Sequence, residues 1–189
     1  MIEKNSLRVR AKINRANEIY KGKHFSFVIE NITLPNGVIS EVGMVHHPGS
    51  TAIVPMLDDH TVVMTRQYRH PIRKYIIEIP AGTLEPNESP LNCAKRELEE
   101  ETGYVANELV ELSHIHILPA YSDEKIYLYL AKDLTASRQN LDQDEIIHTV
   151  KYSFDDAMQL INDGTITDAL TIMAIYRAWI YLQDQGNRS

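Results

Sequence analysis

The segment from Ser89 to Gly103 constrains this chain more than any other. Ser89 offers an N-cap oxygen, Pro90 suits the first helical position, and Gly103 suits the left-handed residue that closes a helix. A helix between those limits sets Leu91, Ala94 and Leu98 on one face, which predicts burial against a sheet. Glu97, Glu100 and Glu101 then fall at i, i+3 and i+4, and their carboxylates gather on the adjoining face. Like charges at that spacing repel unless a cation sits among them. Hard carboxylate oxygens suit Mg²⁺ or Mn²⁺, ions that keep waters and bridge to phosphate oxygens. Taken alone, a run such as Glu99-Glu100-Glu101 is only a solvated helix face.

The rest of the chain predicts what this helix packs on. Residues 1–47 read as an N-terminal β arm, with Phe25, Phe27 and Ile29 alternating with polar or smaller neighbours and Pro35-Asn36-Gly37 turning into a strand over Val38–Val45. Further strands are predicted over Ala52–Leu57, Thr61–Tyr68, Tyr75–Ile79, Leu109–Ile117, Ile126–Ala131 and Ile146–Tyr152. Two helices close the chain. One starts after Ser153, with Asp156 in the capping-box position, and stops at Gly164; the other runs from about Asp168 to Gln183, and the last seven or so residues are expected to fray. Many short strands among few helices predict an α/β chain with a sheet between helices. Trp179, in the apolar last helix, is expected in the core.

Composition removes several functions. The 189 residues carry a formal net charge of -7, which argues against a general nucleic-acid or anionic-membrane surface. The single cysteine, Cys93, forms no intramolecular disulfide, so a reducing, cytoplasmic setting is expected. The first residues are polar and mixed in charge, without the apolar centre of a signal peptide, and no apolar run is long enough to cross a bilayer. His114 and His116 share a strand face and His46 and His47 point apart, but no cysteine or second histidine pair completes a tetrahedral zinc site. Cys93 lacks an evident histidine base and reads as a packed or partly exposed thiol. Tyr75, Tyr121, Tyr127 and Tyr129 read mainly as packing residues.

The neighbourhood of the helix is what lifts its glutamates above an acidic surface. Gly82, Glu88, Arg96, Glu97, Leu98, Glu100, Glu101 and Gly103 have the spacing Gly-x5-Glu-x7-Arg-Glu-Leu-x-Glu-Glu-x-Gly, with Tyr104 in the final apolar place. This pattern resembles the complete Nudix box. The resemblance implies an α/β/α sandwich around a mixed sheet in residues 48–189, and hydrolysis of nucleoside diphosphates linked to another group. It also implies that Glu97, Glu100 and Glu101 are metal ligands, joined by the backbone carbonyl of Ala81, with Arg96 orienting the glutamates. Gly82 and Glu88 match the loop-shaping and supporting positions.

The flanks resemble one branch of that family. Arg66-Gln67-Tyr68-Arg69, Glu78-Ile79-Pro80-Ala81-Gly82 and His47-Pro48-Gly49-Ser50 are similar to ADP-ribose pyrophosphatases, as is Pro119, sixteen residues beyond Gly103. Pro119-Ala120-Tyr121-Ser122-Asp123-Glu124 resembles the substrate loop, with Ala120 where many members have glycine. The resemblance implies a Mg²⁺-dependent (or Mn²⁺-dependent) hydrolase giving AMP and ribose 5-phosphate from ADP-ribose. GDP-mannose or another nucleoside diphosphate sugar is the alternative substrate, and a non-catalytic nucleotide sensor the alternative class. The arm is expected to form a homodimer, since a hairpin alone is marginally stable and must pack on something. Arg69 is expected to grip the diphosphate by its guanidinium fork. Glu78 reads equally as a substrate or metal-face contact and as a buried glutamate paired with an arginine. Pro119, Glu124 and Gly82 complete the expected substrate contacts. The general base is expected on the acidic loop Asp142-Gln143-Asp144-Glu145, with Glu145 preferred over Asp144 and Asp142.

Overall fold

The computed structural model describes residues 10–143 and 145–186. Contacts divide them into two compact units: the residues up to Pro48 with Leu118–Glu124, and Gly49–Ile117 with Lys125 onward.

In the first unit, β1 (Lys12–Lys21), β2 (Ser26–Thr33) and β3 (Ile39–His46) form an antiparallel sheet in that order. The turn between β2 and β3 lies where the sequence places it. Gly37 takes φ 85°, and the Asn36 side chain accepts from the Val38 N–H at 3.1 Å. Strand β1 was not expected. Nine of its ten residues are exposed, so no burial alternation marks it in the sequence. The segment Leu118–Glu124 is tied to the end of β3 by Val45 N–H to Tyr121 O (2.8 Å) and by Asp123, which meets His46 Nδ1 at 2.6 Å and accepts from the His47 N–H at 2.9 Å.

The second unit is built on a mixed four-stranded sheet. Its order is β7 (Ala81–Thr83), β4 (Ser50–Pro55), β9 (Ile126–Ala136), β8 (Tyr104–Ile115), with β4 and β9 parallel and the other pairs antiparallel. Period-two alternation builds a core on each face. Ile53, Tyr129 and Ala131 point to one side and pack with Ala94 and Leu98 of α1 (Pro90–Thr102). Ala52, Val54, Leu128 and Leu130 point to the other, toward α2 (Phe154–Asn162) and α3 (Ala169–Gly186). Because both faces are covered, β4 is buried along its whole length. A second, antiparallel sheet of β10 (Ile147–Ser153), β5 (Thr61–Arg69) and β6 (Lys74–Glu78) adds Val62 and Met64 to the larger core. The result is the expected α/β sandwich with a mixed central sheet and an antiparallel N-terminal sheet.

Five expectations change. The three-residue β7 is too short to show a period and was missed. β8 and β9 extend past the predicted Leu109 and Ala131 into ends joined by Lys132–Glu108 (3.1 Å) and Asn107–Asp133 (3.0 Å). Trp179 is 43% exposed, because α3 buries Thr171, Ala174, Ile175 and Ala178 and the next position turns about 100° away. Leu91 is 40% exposed in the first turn of α1, and Cys93 is buried in its stead. Helix α3 continues to Gly186, so most of the tail expected to fray is helical; residues 187–189 lie outside the described residues.

Candidate active site

The caps of α1 form as the sequence implies. Ser89 Oγ accepts from the Asn92 N–H at 3.2 Å, and Gly103, at φ 72°, sends its N–H to Glu99 O. The helix differs from the prediction in one respect that governs the chemistry. Its acidic face is not beside the buried stripe but partly within it. Glu97 and Glu101 are buried, Glu101 to 3% exposure, and Glu100 is half-buried. Burial disfavours the charged form of each carboxylate, and neighbouring charges then act on it. Burial first, then the charges of Glu97 and Glu145, push Glu101 well above the usual carboxylate range. Burial likewise raises Glu97, to about 7, against the pull of Arg96.

Arg96 organises this cluster. Its Nη1 donates to Glu97 Oε1 (2.6 Å) and Glu100 Oε2 (3.1 Å), and its Nε and Nη2 grip both oxygens of Glu88 at 2.9 Å. A further bond goes from Nη2 to the Thr83 carbonyl at 3.1 Å. Glu88 also accepts from the Glu85 N–H at 3.0 Å, so one side chain shapes the loop before α1 and anchors the arginine. Its hydrogen bonds to Arg96 hold its carboxyl below the usual range. Gly82 lies against the same cluster. A Cβ there would sit 1.9 Å from the Glu97 carboxylate, so any side chain would require that carboxylate to move. Beside it, the Ala81 N–H donates to Glu101 Oε2 at 3.2 Å.

A second charged group lies at the end of the antiparallel sheet. Arg69 Nε and Nη2 fork onto both oxygens of Glu78, at 2.7 to 3.1 Å. Glu78 is buried whereas the Arg69 side chain is 43% exposed. Of the two readings open for Glu78, the buried partner of an arginine is the one whose contacts are seen. Glu145 is half-buried, and its charge raises both Glu97 and Glu101. Its carboxylate accepts from the Asp142 N–H at 3.1 Å, which leaves Asp142 itself exposed. Asp144 lies outside the described residues. Pro119 and Glu124 belong to the unit of the N-terminal sheet; Pro119 is exposed in a turn and Glu124 lies 3.5 Å from His47 Nδ1.

Two observations bear on a metal ion. Three carboxylates, two of them buried and raised in pKa chiefly by that burial, are the hard oxygen donors that a divalent cation satisfies. In the conformation seen, however, Arg96 draws Glu97 and Glu100 to itself, and among the described residues no three carboxylate, imidazole or thiolate groups converge as a metal cage. The donor chemistry fits; the side chains are held by the arginine.

Comparison with known proteins decides the family. The NUDIX domain matches residues 46–172. This chain belongs to the Nudix family. It is 37% identical over 160 residues to an ADP-ribose pyrophosphatase of Bacillus subtilis (strain 168), covering 84% of this chain and 86% of that protein. It is 38% identical over 176 residues to a methanol dehydrogenase activator of Bacillus methanolicus, covering 92% and 93%. Among solved structures, an ADP compounds hydrolase superposes with a TM-score of 0.81 at 25% identity, covering 94% of this chain and 96% of that one. The enzyme class implied by the box, a Nudix pyrophosphohydrolase, is thereby supported from sequence and fold together.

The structure also brings forward residues that the sequence did not single out. The Thr83 carbonyl holds Arg96, and the last turn of α1 is capped from a distance: Asn140 N–H reaches Glu100 O at 2.9 Å and Gln139 Nε2 reaches Glu101 O at 2.6 Å. Nothing local in the sequence announces these, because each partner is remote along the chain.

Proposed function

We propose that this Nudix enzyme hydrolyses the diphosphate of ADP-ribose or a closely related nucleoside diphosphate sugar, with Mg²⁺ or Mn²⁺, releasing a nucleoside monophosphate and a sugar phosphate. The observation that carries the reading is the buried pair Glu97 and Glu101, raised in pKa first by burial and then by neighbouring carboxylates including Glu145, near the Arg69–Glu78 fork. The relatives' names support the substrate class.

Each residue then has a task. Glu97, Glu100 and Glu101, with the Ala81 carbonyl, hold the cation. When bound, a divalent ion neutralises diphosphate charge and acidifies a coordinated water. Arg96 presents the glutamates, and Gly82 leaves them room. Arg69 grips the diphosphate and Glu78 fixes the guanidinium plane. Glu145 takes the proton from the attacking water. A single free, buried thiol supports a reducing, cytoplasmic setting. Among the described residues no helix is long and apolar enough to cross a membrane.

The test is a panel of ADP-ribose, GDP-mannose, UDP-glucose, NADH and diadenosine polyphosphates with Mg²⁺, read by product mass and kcat/KM. ADP-ribose is expected to rank first; a higher rank for GDP-mannose would move the assignment to that sugar, and no cleavage of any member with either metal would overturn it. Glu145→Gln should lower kcat by orders of magnitude while substrate and metal still bind. Near-normal turnover would remove Glu145 from the role. The activator named among the relatives favours one second reading, action on a partner enzyme. A catalytically dead Glu101→Gln variant that still activates a partner would support it.

A further inference from the structure

The backbone passes from β6 in one sheet to β7 in the other over Glu78–Ile79–Pro80–Ala81 and carries groups for both halves of the proposed site. Glu78 holds Arg69, and the Ala81 N–H meets Glu101. At such a junction each buried polar backbone group must still find a partner. The Pro80 carbonyl accepts from the Ile53 N–H of β4 at 2.9 Å. The Ile79 N–H donates to Thr171 Oγ1, ninety-two positions away, at 3.1 Å.

Thr171 is fully buried in the first turn of α3, and its hydroxyl is fully used. The Oγ1 proton goes to Asp168 Oδ2 at 2.7 Å, which leaves a lone pair facing Ile79. The same Asp168 oxygen caps the helix by accepting the Thr171 N–H at 2.7 Å. The Asp168 charge reaches Arg69 and Glu78 as well, so the helix start lies close behind the fork. One aspartate therefore caps α3 and orients the hydroxyl that fixes the chain between the diphosphate-gripping fork and the metal-facing Ala81.

We infer that Thr171, oriented by Asp168, is a positioning residue that sets Glu78 and Ala81 relative to the Glu97–Glu101 cluster, so that the start of α3 tunes metal and substrate affinity without touching either. The inference rests on the proposed function of that cluster. Groups that orient metal ligands from behind typically change metal affinity by about 10–100-fold when removed.

The test compares Thr171→Val with Thr171→Ser. Valine keeps the shape and loses both hydrogen bonds, whereas serine keeps them and loses only the methyl. Mn²⁺ binding without substrate is measured by electron paramagnetic resonance, KM and kcat with ADP-ribose at saturating Mg²⁺, and Tm by circular dichroism. Thr171→Val should raise the Mn²⁺ Kd and the KM about tenfold with kcat within about twofold, and Thr171→Ser should stay within about twofold of wild type in all three. A Thr171→Val protein with a lowered Tm but unchanged Kd and KM would overturn the inference, as would a serine variant as impaired as valine. If Thr171→Val does not fold, Asp168→Ala carries the same comparison by removing the acceptor that orients the hydroxyl. Wild-type protein that binds no Mn²⁺ would defeat the proposed function itself, an outcome distinct from a difference lying only between the variants.

Discussion

Gly82 and Cys93 show how little of a residue's importance lies in its own side chain. Gly82 matters because the Glu97 carboxylate occupies the space where a Cβ would be. Gly82→Ala should therefore displace Glu97, lower Tm and weaken Mn²⁺ binding together, measured by calorimetry and metal titration; a variant with unchanged metal affinity would show that the carboxylate has room to move. Cys93 is buried, accepts from Thr51 Oγ1 at 3.3 Å, and has its thiol pushed up to about 12, chiefly by burial. A raised thiol pKa leaves little thiolate, the reactive form, until the pH approaches that value. Iodoacetamide should thus fail to label the native chain at pH 8 and label it in denaturant, as mass spectrometry would report.

At the scale of elements, α1 has two duties that pull in different directions. Ala94 and Leu98 seal one core of the sandwich, while Glu97 and Glu101, which flank Leu98 along the helix, carry charge into the same layer. Leu98→Ala should cost about 2–5 kcal/mol, the range for deleting a buried leucine side chain. Because the same face positions the glutamates, activity per folded molecule should also fall, checked by urea unfolding alongside kcat. The helix boundaries were readable from Ser89, Pro90 and Gly103 because capping is local chemistry. Which side faces the sheet was only partly readable. A helical wheel counts Leu91 as apolar, but does not tell that the first turn leaves it exposed. Strand β1 escaped for a related reason: a strand exposed on nearly every residue has no period to detect.

At the scale of the whole molecule, the N-terminal sheet leaves Ile13, Ile19, Tyr20, Phe25 and Ile39 exposed. We propose that these residues belong to the dimer contact expected from the sequence. Light scattering at micromolar concentration should give twice the chain mass of 21.6 kDa. A monomeric mass would assign the face elsewhere.

The sequence by itself determined the glutamate-bearing helix, its caps, the family and the places of most of the central strands. These follow from spacing along a regular element, and spacing is what a sequence records directly. Only the tertiary structure decided that two of the three glutamates are buried, that Arg96 holds Glu97 and Glu100 while gripping Glu88, and that Arg69 pairs with Glu78. It also decided that Thr171 of α3, with Asp168 just before that helix, holds the link between β6 and β7. The reason is physical. Burial, and with it the pKa of a carboxylate, depends on what other segments exclude water from it, and those segments lie far away along the chain.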